Sequence, residues 1–382
     1  MMRTSIRILI ALMVVTSSAR AQGALSTTGL GYPTGQISAR AEGAGGALAD
    51  FDALSLVDPA SIAGVGSAAL FFQYSPEFRR VSDGSNTART TTARFPLVSG
   101  VLPVGQRWTM GLSSSTFLDR SYETSLVRTQ SVGSPTNPLD SIPVTERTKV
   151  LGAINDIRLS AAWAASSMFR FGVGGHVFTG SNRVTLSEIF PDSSRFISTT
   201  QTDRVSFAGF AASAGIEFHP SRVIGFALAG RKGGDLTAQA NDTVLGKGKI
   251  PDHYSASVTY DGITGASIAA RVAHDSWSSL SDLSSTHIRA FDGWDTSIGA
   301  EVTGPRVLQR IIVVRAGARF RSLPFASNGE RVSERSFTAG LGVPLTRDRA
   351  AFDFAIQRAA RSTAGSAKET GYILSFGLRV SP

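Results

Sequence analysis

From Ser67 onward the chain alternates apolar side chains with small or polar ones, in short runs separated by turn residues. The last run shows the pattern. Tyr372, Leu374, Phe376, Leu378 and Val380 share one face, with Gly371, Ser375, Gly377 and Arg379 on the other. A side-chain period of two belongs to the β-strand. About fourteen such runs follow one another. An open soluble sheet of that size exposes its edges and its apolar faces; closure removes the edges, and lipid covers the outer face. No repeating motif of a β-propeller or β-helix is present. The expected fold is therefore all-β, an antiparallel transmembrane β-barrel of about 14 strands.

The connections alternate as well. Tight turns are expected at Gly105, Ser166-Ser167, His219-Pro220-Ser221, Asp261-Gly262, Gly304-Pro305 and Thr346-Arg347-Asp348. Long polar loops are expected near 124–145, 181–200, 231–250, 275–288, 324–331 and 360–368. Outer-membrane barrels keep short turns in the periplasm and long loops outside, and an even strand count then leaves both termini periplasmic.

The chain divides into three parts. Residues 1–21 read as a secretory signal peptide: Arg3 and Arg7, the apolar Ile8 to Val15, and Ala19-Arg20-Ala21 as the cleavage site. No stretch approaches the ~18–20 apolar residues of a transmembrane helix. The expected destination is the outer membrane of a Gram-negative-type cell, with lipid and lipopolysaccharide as surroundings. The second part, residues 22–66, breaks the alternation. It is rich in small residues from Ala39 to Asp50, and Asp58-Pro59 marks a short helical turn. A barrel of about fourteen strands holds a plug or conducts water, so this segment is expected inside the lumen as a hatch. A loose periplasmic tail is the other reading. The third part, residues 67–382, is the barrel.

Composition removes several classes of function. There are no cysteines, which excludes disulfide frameworks, thiolate metal sites and thiol catalysis. The formal charge is +9, but Arg3, Arg7 and Arg20 leave with the signal peptide and the remaining cations are dispersed. Nucleic-acid binding is not expected; dispersed arginine suits a pore lining or a surface facing lipopolysaccharide.

The stretch Ser38-Ala39-Arg40-Ala41-Glu42-Gly43-Ala44-Gly45-Gly46-Ala47, followed by Ala53-Leu54-Ser55-Leu56-Val57-Asp58-Pro59-Ala60, resembles the start of the FadL-type outer-membrane transporter family, including its PorV-like branch. The motif is carried by Gly43, Gly45, Gly46, Pro59 and Ala60, with Asp58 where the family has Asn. The resemblance implies a fourteen-stranded barrel, a hatch, and passage of hydrophobic molecules of the long-chain fatty acid or hydrocarbon type. The substitution at Asp58 removes any role that rests on the Asn amide. Ser375, Gly377 and Val380 fit the spacing of a barrel-assembly signal, which implies the assembly machinery as a partner in biogenesis, but Pro382 stands where an aromatic residue is usual.

Arginines dominate the expected lumenal face. Arg315, Arg319 and Arg321 alternate inward opposite Ile312, Val314 and Phe320, and Arg158, Arg170, Arg271 and Arg379 are further candidates. A guanidinium in a constriction holds a carboxylate bidentately. These arginines therefore either capture an acid head group or pair with Asp295, Glu301, Asp353 and the hatch acids. Phe320 and Leu323-Pro324-Phe325 offer a hydrophobic landing site or belong to an interfacial girdle. Pro96 and Gly100 are where the wall is expected to lose ladder bonds. The histidines show no motif with a neighbouring serine and carboxylate, so no enzyme, metal or cofactor is expected. The expected function is an uptake channel for hydrophobic molecules. The alternative is a non-transporting scaffold or shuttle in a secretion or surface-attachment system, with a partner from that system.

Overall fold

The computed structural model describes residues 30–83, 86–134, 137–191, 196–283, 289–307, 310–327, 330–346, 349–363 and 368–381. The expected signal peptide lies outside the described residues. Fourteen antiparallel strands form one closed wall. They are β1 (Ala69–Asp83), β2 (Asn86–Val104), β3 (Trp108–Asp119), β4 (Asn137–Ala164), β5 (Phe169–Ile189), β6 (Thr199–Phe218) and β7 (Ile224–Ala240), then β8 (His253–Ile263), β9 (Ala266–Asp275), β10 (Gly293–Val307), β11 (Arg310–Ser327), β12 (Glu330–Thr346), β13 (Ala350–Ser362) and β14 (Lys368–Val380). The barrel closes where β14 pairs with β1, from Lys368↔Ser82 to Val380↔Leu70.

The two faces are inverted relative to a soluble sheet. Leu112, Leu159, Val173, Phe210, Leu228 and Phe337 are exposed on the outside, while Ser113, Arg158, Ser160, Ser213, Arg315 and Thr338 are buried on the inside. Water would penalise that outer face and lipid does not, which identifies a membrane barrel of the outer-membrane type. An aromatic row lines the short-turn end: Trp108, Trp163, Phe171, Phe169, Phe218 and Phe226 follow one another with ring centroids 4.7–6.4 Å apart. It has the composition of an interfacial girdle.

Short turns fall at the expected end. Gly105 turns with φ 71°. Ser166 and Ser221 accept from the amides of Phe169 and Ile224, 3.1 and 3.2 Å away, which closes those two turns locally. Asp261-Gly262 and Gly304-Pro305 are not turns. Bulges between Tyr260 and Ile263 and between Thr303 and Arg306 absorb them, and the strands run on. Arg347 and Asp348 lie outside the described residues.

Most of the expected loops are sheet. Tyr122–Ser134 pairs with the first half of β4, β5 runs to Ile189, and Thr243–Lys249 folds back along β7. β11 continues through Leu323-Pro324-Phe325 to Ser327. Beyond the lipid both faces of a strand are wet, so the apolar alternation fades while the ladder continues. Between β9 and β10 the chain forms a 3-10 turn, Trp277–Leu283.

Among the described residues the wall has a seam beside Pro96. The β2–β3 ladder runs from Val104↔Trp108 to Leu97↔Ser115, and the β1–β2 register shifts at Gln73/Ser75, opposite Phe95-Pro96. Above this point the freed edge of β3 pairs instead with Tyr32–Pro33 at Asp119 and Leu118. Pro96, which lacks an N–H, therefore sits at the break. Gly100 keeps partners on both sides, Leu70 and Leu112.

Candidate functional site: the barrel lumen

The polar inner face of the wall packs against residues 30–66. Ala39, Ala41, Ala44, Ala47, Ala49 and Ala60 are fully buried there. Helix α1 (Ala39–Gly43) is capped by the Ser38 side chain, which accepts from the amide of Ala41. The turn after it lies flat on β10 and β11. Gly45 has φ 70°, and a Cβ there would stand 2.8 Å from the Ala318 nitrogen. A Cβ on Gly299 or Gly317 would collide with Ala44. Glycine on both surfaces thus lets backbone touch backbone. The second seat repeats the device. Asp58 caps the 3-10 turn Pro59–Gly64 by accepting from the Ala60 amide at 2.7 Å, with Pro59 at the first position. Gly172 and Gly215 of the wall make room for Pro59-Ala60 and Asp58.

Ion pairs lock the segment to the wall. Asp50 accepts from Arg271 Nε at 3.2 Å, from Ser255 at 3.1 Å and from Ser257. Arg40 holds Glu301 through two hydrogen bonds of 3.0 Å. The Ala39 amide donates to Gln73 at 2.8 Å. Tyr32 is enclosed by the guanidinium carbons of Arg361, Arg321, Arg94 and Arg79, 4.6–5.6 Å from its ring centroid. Four carboxylates neutralise that cluster: Glu77 pairs with Arg79, Arg94 and Arg361, Glu334 with Arg321 and Arg361, Asp119 with Arg94, and Glu369 with Arg361.

Of the arginines singled out in the sequence, Arg315, Arg319 and Arg321 have carboxylate partners, whereas the Nε of Arg379 is unmatched. Arg315 lies 2.6 Å from both Glu301 and Asp353, Arg319 donates to Asp295 at 2.9 Å, and Arg321 donates to Glu334 at 2.6 Å and to the Tyr32 hydroxyl. Arg158 differs: it is fully buried, and its Nε and Nη1 have no hydrogen-bond partner. Arg271 is held by Asp50 and Arg170 by Glu217. Phe325 and Leu323 are buried against Tyr32 and Val332, so neither is an exposed landing site; Phe320 is exposed on the outer face.

Two acids of the segment are perturbed by burial. Glu42 is pushed up to about 7, with a hydrogen bond from Ser375 and the nearby Arg319 pulling the other way. Burial also holds Asp58 well above the usual carboxylate range, and its Oδ2 has no partner.

On the loop side of the segment, Leu30, Phe117, Ile154, Phe178, Trp277 and Leu280 belong to one buried apolar cluster. Beside it lies a cavity of about 70 Å³ lined by Gln36, Phe117, His176, Ser213, Arg231 and Trp277.

No protein-family model matches the sequence, and no curated protein matches it. Solved structures do. A Pseudomonas aeruginosa FadL homologue aligns with a TM-score of 0.66 at 13% identity, covering 92% of this chain and 99% of the other. This is a FadL-type fold. The P. putida toluene transporter TodX aligns with a TM-score of 0.56 at 14% identity, over 94% of this chain and 99% of that one. The CymD monoaromatic hydrocarbon channel gives 0.56 at 12% identity, over 91% and 97%. The strand number implied by the stretch Gly43 to Ala60 is that of the FadL-type barrel found here.

Within this FadL-type barrel the motif residues have separate jobs. Gly43, Gly45 and Gly46 form the flat turn, while Asp58, Pro59 and Ala60 form the capped one. An Asp caps as an Asn does, through Oδ1; the amide that Asp58 lacks would occupy the Oδ2 position. Sequence reasoning missed Tyr32, Trp277 and the contact of His176 with Asp156 and Ser213. Those contacts cross strands whose register no local pattern reveals. His287 lies outside the described residues. Among the described residues no group of three or more His, Asp or Glu side chains is placed to hold a metal ion.

Proposed function

We propose that this protein takes up hydrophobic small molecules across the outer membrane, through a lumen that residues 22–66 close as a hatch. The observation that carries this reading is the extended apolar cluster on the loop side of the segment, which includes Phe117, Phe178, Trp277 and Leu280 and borders a small cavity. Apolar surface in that position offers a partition site to a molecule leaving water. Fold neighbours described as a monoaromatic hydrocarbon channel and a toluene transporter support the same class of cargo. The ligand displaces the side chains of Trp277–Leu283 and rests above the hatch. For an acidic ligand, Arg158 supplies the unpartnered donors; Arg315, Arg319 and Arg321 hold the wall and the hatch. The seam at Pro96 supports a sideways exit.

The test is saturable binding of toluene and of a long-chain fatty acid to the purified barrel, followed by uptake into proteoliposomes. Arg158→Ala is expected to weaken the fatty acid about tenfold or more, as loss of a charged hydrogen bond does, and to leave toluene unchanged. Absence of saturable binding for both ligands refutes the reading. One observation favours the scaffold alternative: the cavity above the segment, about 70 Å³, is small beside the ~300–1,000 Å³ of ligand pockets. Under that alternative a protein partner binds the loop-side hairpins and neither ligand crosses.

A further inference from the structure

No serine–histidine–acid motif is visible in the sequence, yet the register builds one. Asp156 on β4, His176 on β5 and Ser213 on β6 face the lumen from three adjacent strands. In the tautomer that the carboxylate selects, His176 Nδ1–H donates to Asp156 at 2.9 Å, and Ser213 Oγ–H donates to His176 Nε2 at 2.8 Å. Gln36 of the lumen segment donates to Asp156 Oδ2 at 2.8 Å and to Ser115 at 2.7 Å, which fixes the carboxylate from its other side. Asp156, His176 and Ser213 are 1%, 4% and 8% exposed.

A fourth group completes the set. Arg231 on β7 is the cross-strand partner of Ser213. Its two terminal nitrogens donate to Gln36 Oε1 at 3.2 Å and to the Pro251 carbonyl at 3.4 Å, and its buried Nε–H has no partner. His176, Ser213 and Arg231 all line the cavity of about 70 Å³, together with Phe117, Trp277 and Leu56. Arg231 Nε–H therefore stands beside the serine as a donor still open to an acceptor in the cavity. A nucleophile, a base within hydrogen-bond reach, a group that orients the base and a spare donor beside the nucleophile are the parts of an acyl-transfer site.

We infer that this cavity is a catalytic site for the hydrolysis of small apolar carboxylic esters. Ser213 Oγ bonds to the carbonyl carbon as its proton passes to His176 Nε2. The oxyanion that forms takes the free Nε–H of Arg231. Collapse breaks the ester C–O bond, and the alkoxide leaves as an alcohol with the proton from Nε2. Water then attacks the acyl-serine and gives its proton to Nε2. The second collapse breaks the Oγ–acyl bond, returns that proton to Oγ and releases the carboxylic acid. Ester and water become acid and alcohol, with no other reactant. Ser213, His176 and Arg231 are the catalytic residues. Asp156 is a positioning residue, which holds the tautomer. Phe117, Leu56 and Trp277 select apolar groups, and the cavity volume limits the substrate to short chains. The hydrolysis is independent of uptake, and either can fail alone.

The test uses the full-length barrel in detergent, with folding followed by heat-dependent gel migration. A fluorophosphonate probe should give one covalent adduct, mapped by peptide mass to Ser213 in the unmodified protein, and p-nitrophenyl butyrate should be hydrolysed. Ser213→Ala should abolish both. Asp156→Asn should lower kcat about 10⁴-fold with KM little changed, the signature of a wrong tautomer. Folded wild-type protein that forms no adduct and hydrolyses the ester no faster than Ser213→Ala overturns the inference. So does an adduct on another serine. The adduct map needs no variant, so a Ser213→Ala chain that misfolds leaves the experiment decisive.

Discussion

Removal of the Asp50 side chain should release the lumen segment without weakening the wall. Asp50 is fully buried and accepts from Arg271, Ser255 and Ser257 of β8 and β9. In Asp50→Ala the Arg271 guanidinium stays buried and loses its closest acid. Deleting one partner of a buried pair costs about 3–5 kcal/mol. Arg271 keeps Asp295 at 3.8 Å and a contact with His253 at 3.3 Å, so the low end, about 3 kcal/mol, applies. At about 1.4 kcal/mol per decade, local opening becomes about 100-fold more frequent.

Hydrogen exchange resolves where this loss is felt. The amides of Glu42, Gly46, Ala49 and Phe51 are bonded inside the segment, to Ser38, Ala41, Gly46 and Leu48. Their protection should fall about 100-fold in Asp50→Ala, in proportion to the opening equilibrium. The amides of β8 and β9 pair with their neighbours along the whole strand and do not depend on Asp50. Their protection should be unchanged. Equal loss in segment and strands would show that the two unfold as one unit. Unchanged protection in the segment would show that Asp50 does not anchor it. Either result refutes the reasoning.

Asp58→Asn should stabilise the segment at pH values above the ordinary carboxylate range: Oδ1 still caps Ala60, and a neutral amide replaces a carboxylate whose charged form burial disfavours. A fall in protection of residues 59–64 at pH 8 would sink this account. The segment should also loosen as pH rises. The fold raises Glu42 to about 7, so the stability it contributes is full below the ordinary carboxylate range and lost as pH climbs through about 7. Exchange of residues 42–46, corrected for intrinsic rate, should be faster at pH 8 than at pH 5.5, and Glu42→Gln should remove the difference; equal protection in the parent at both values rejects the burial argument.

What was legible in the sequence follows from which solvent each face meets. Lipid demands apolar side chains at every second residue, so Leu112, Leu159 and Leu228 announced the wall and its strand count. Outside the lipid nothing enforces alternation, and Tyr122–Ser134 and Thr243–Lys249 read as loops although they are paired strands. The inner face obeys a third rule. Its residues answer to one another, and their partners are far away in the chain: Tyr32 lies 302 positions from Glu334, and Asp50 lies 221 from Arg271. Composition predicted arginines pointing inward; it had no means of telling that Glu301 and Asp353 would take Arg315 while Arg158 would be left over.

That difference locates the chemistry. Arg315 and Arg319, the wall arginines beside the Gly43–Gly46 turn, are neutralised, and glycine lets the backbone press against the wall, so that half of the lumen is closely packed. Around Gln36 the balance changes. Gln36 itself is held at φ 55°, an uncommon conformation for a residue with a side chain. The strain is sustained by four polar contacts, to Asp156, Ser115 and Arg231 and from the Leu56 amide to its own carbonyl. The same few ångströms contain the unpartnered nitrogens of Arg158 and Arg231 and the serine on His176. Strain and unmatched donors each cost stability, and a structure that needed only a stopper would gain by losing both. Their coincidence at one edge of the segment is the ground on which we place both the proposed cargo and the proposed ester site there.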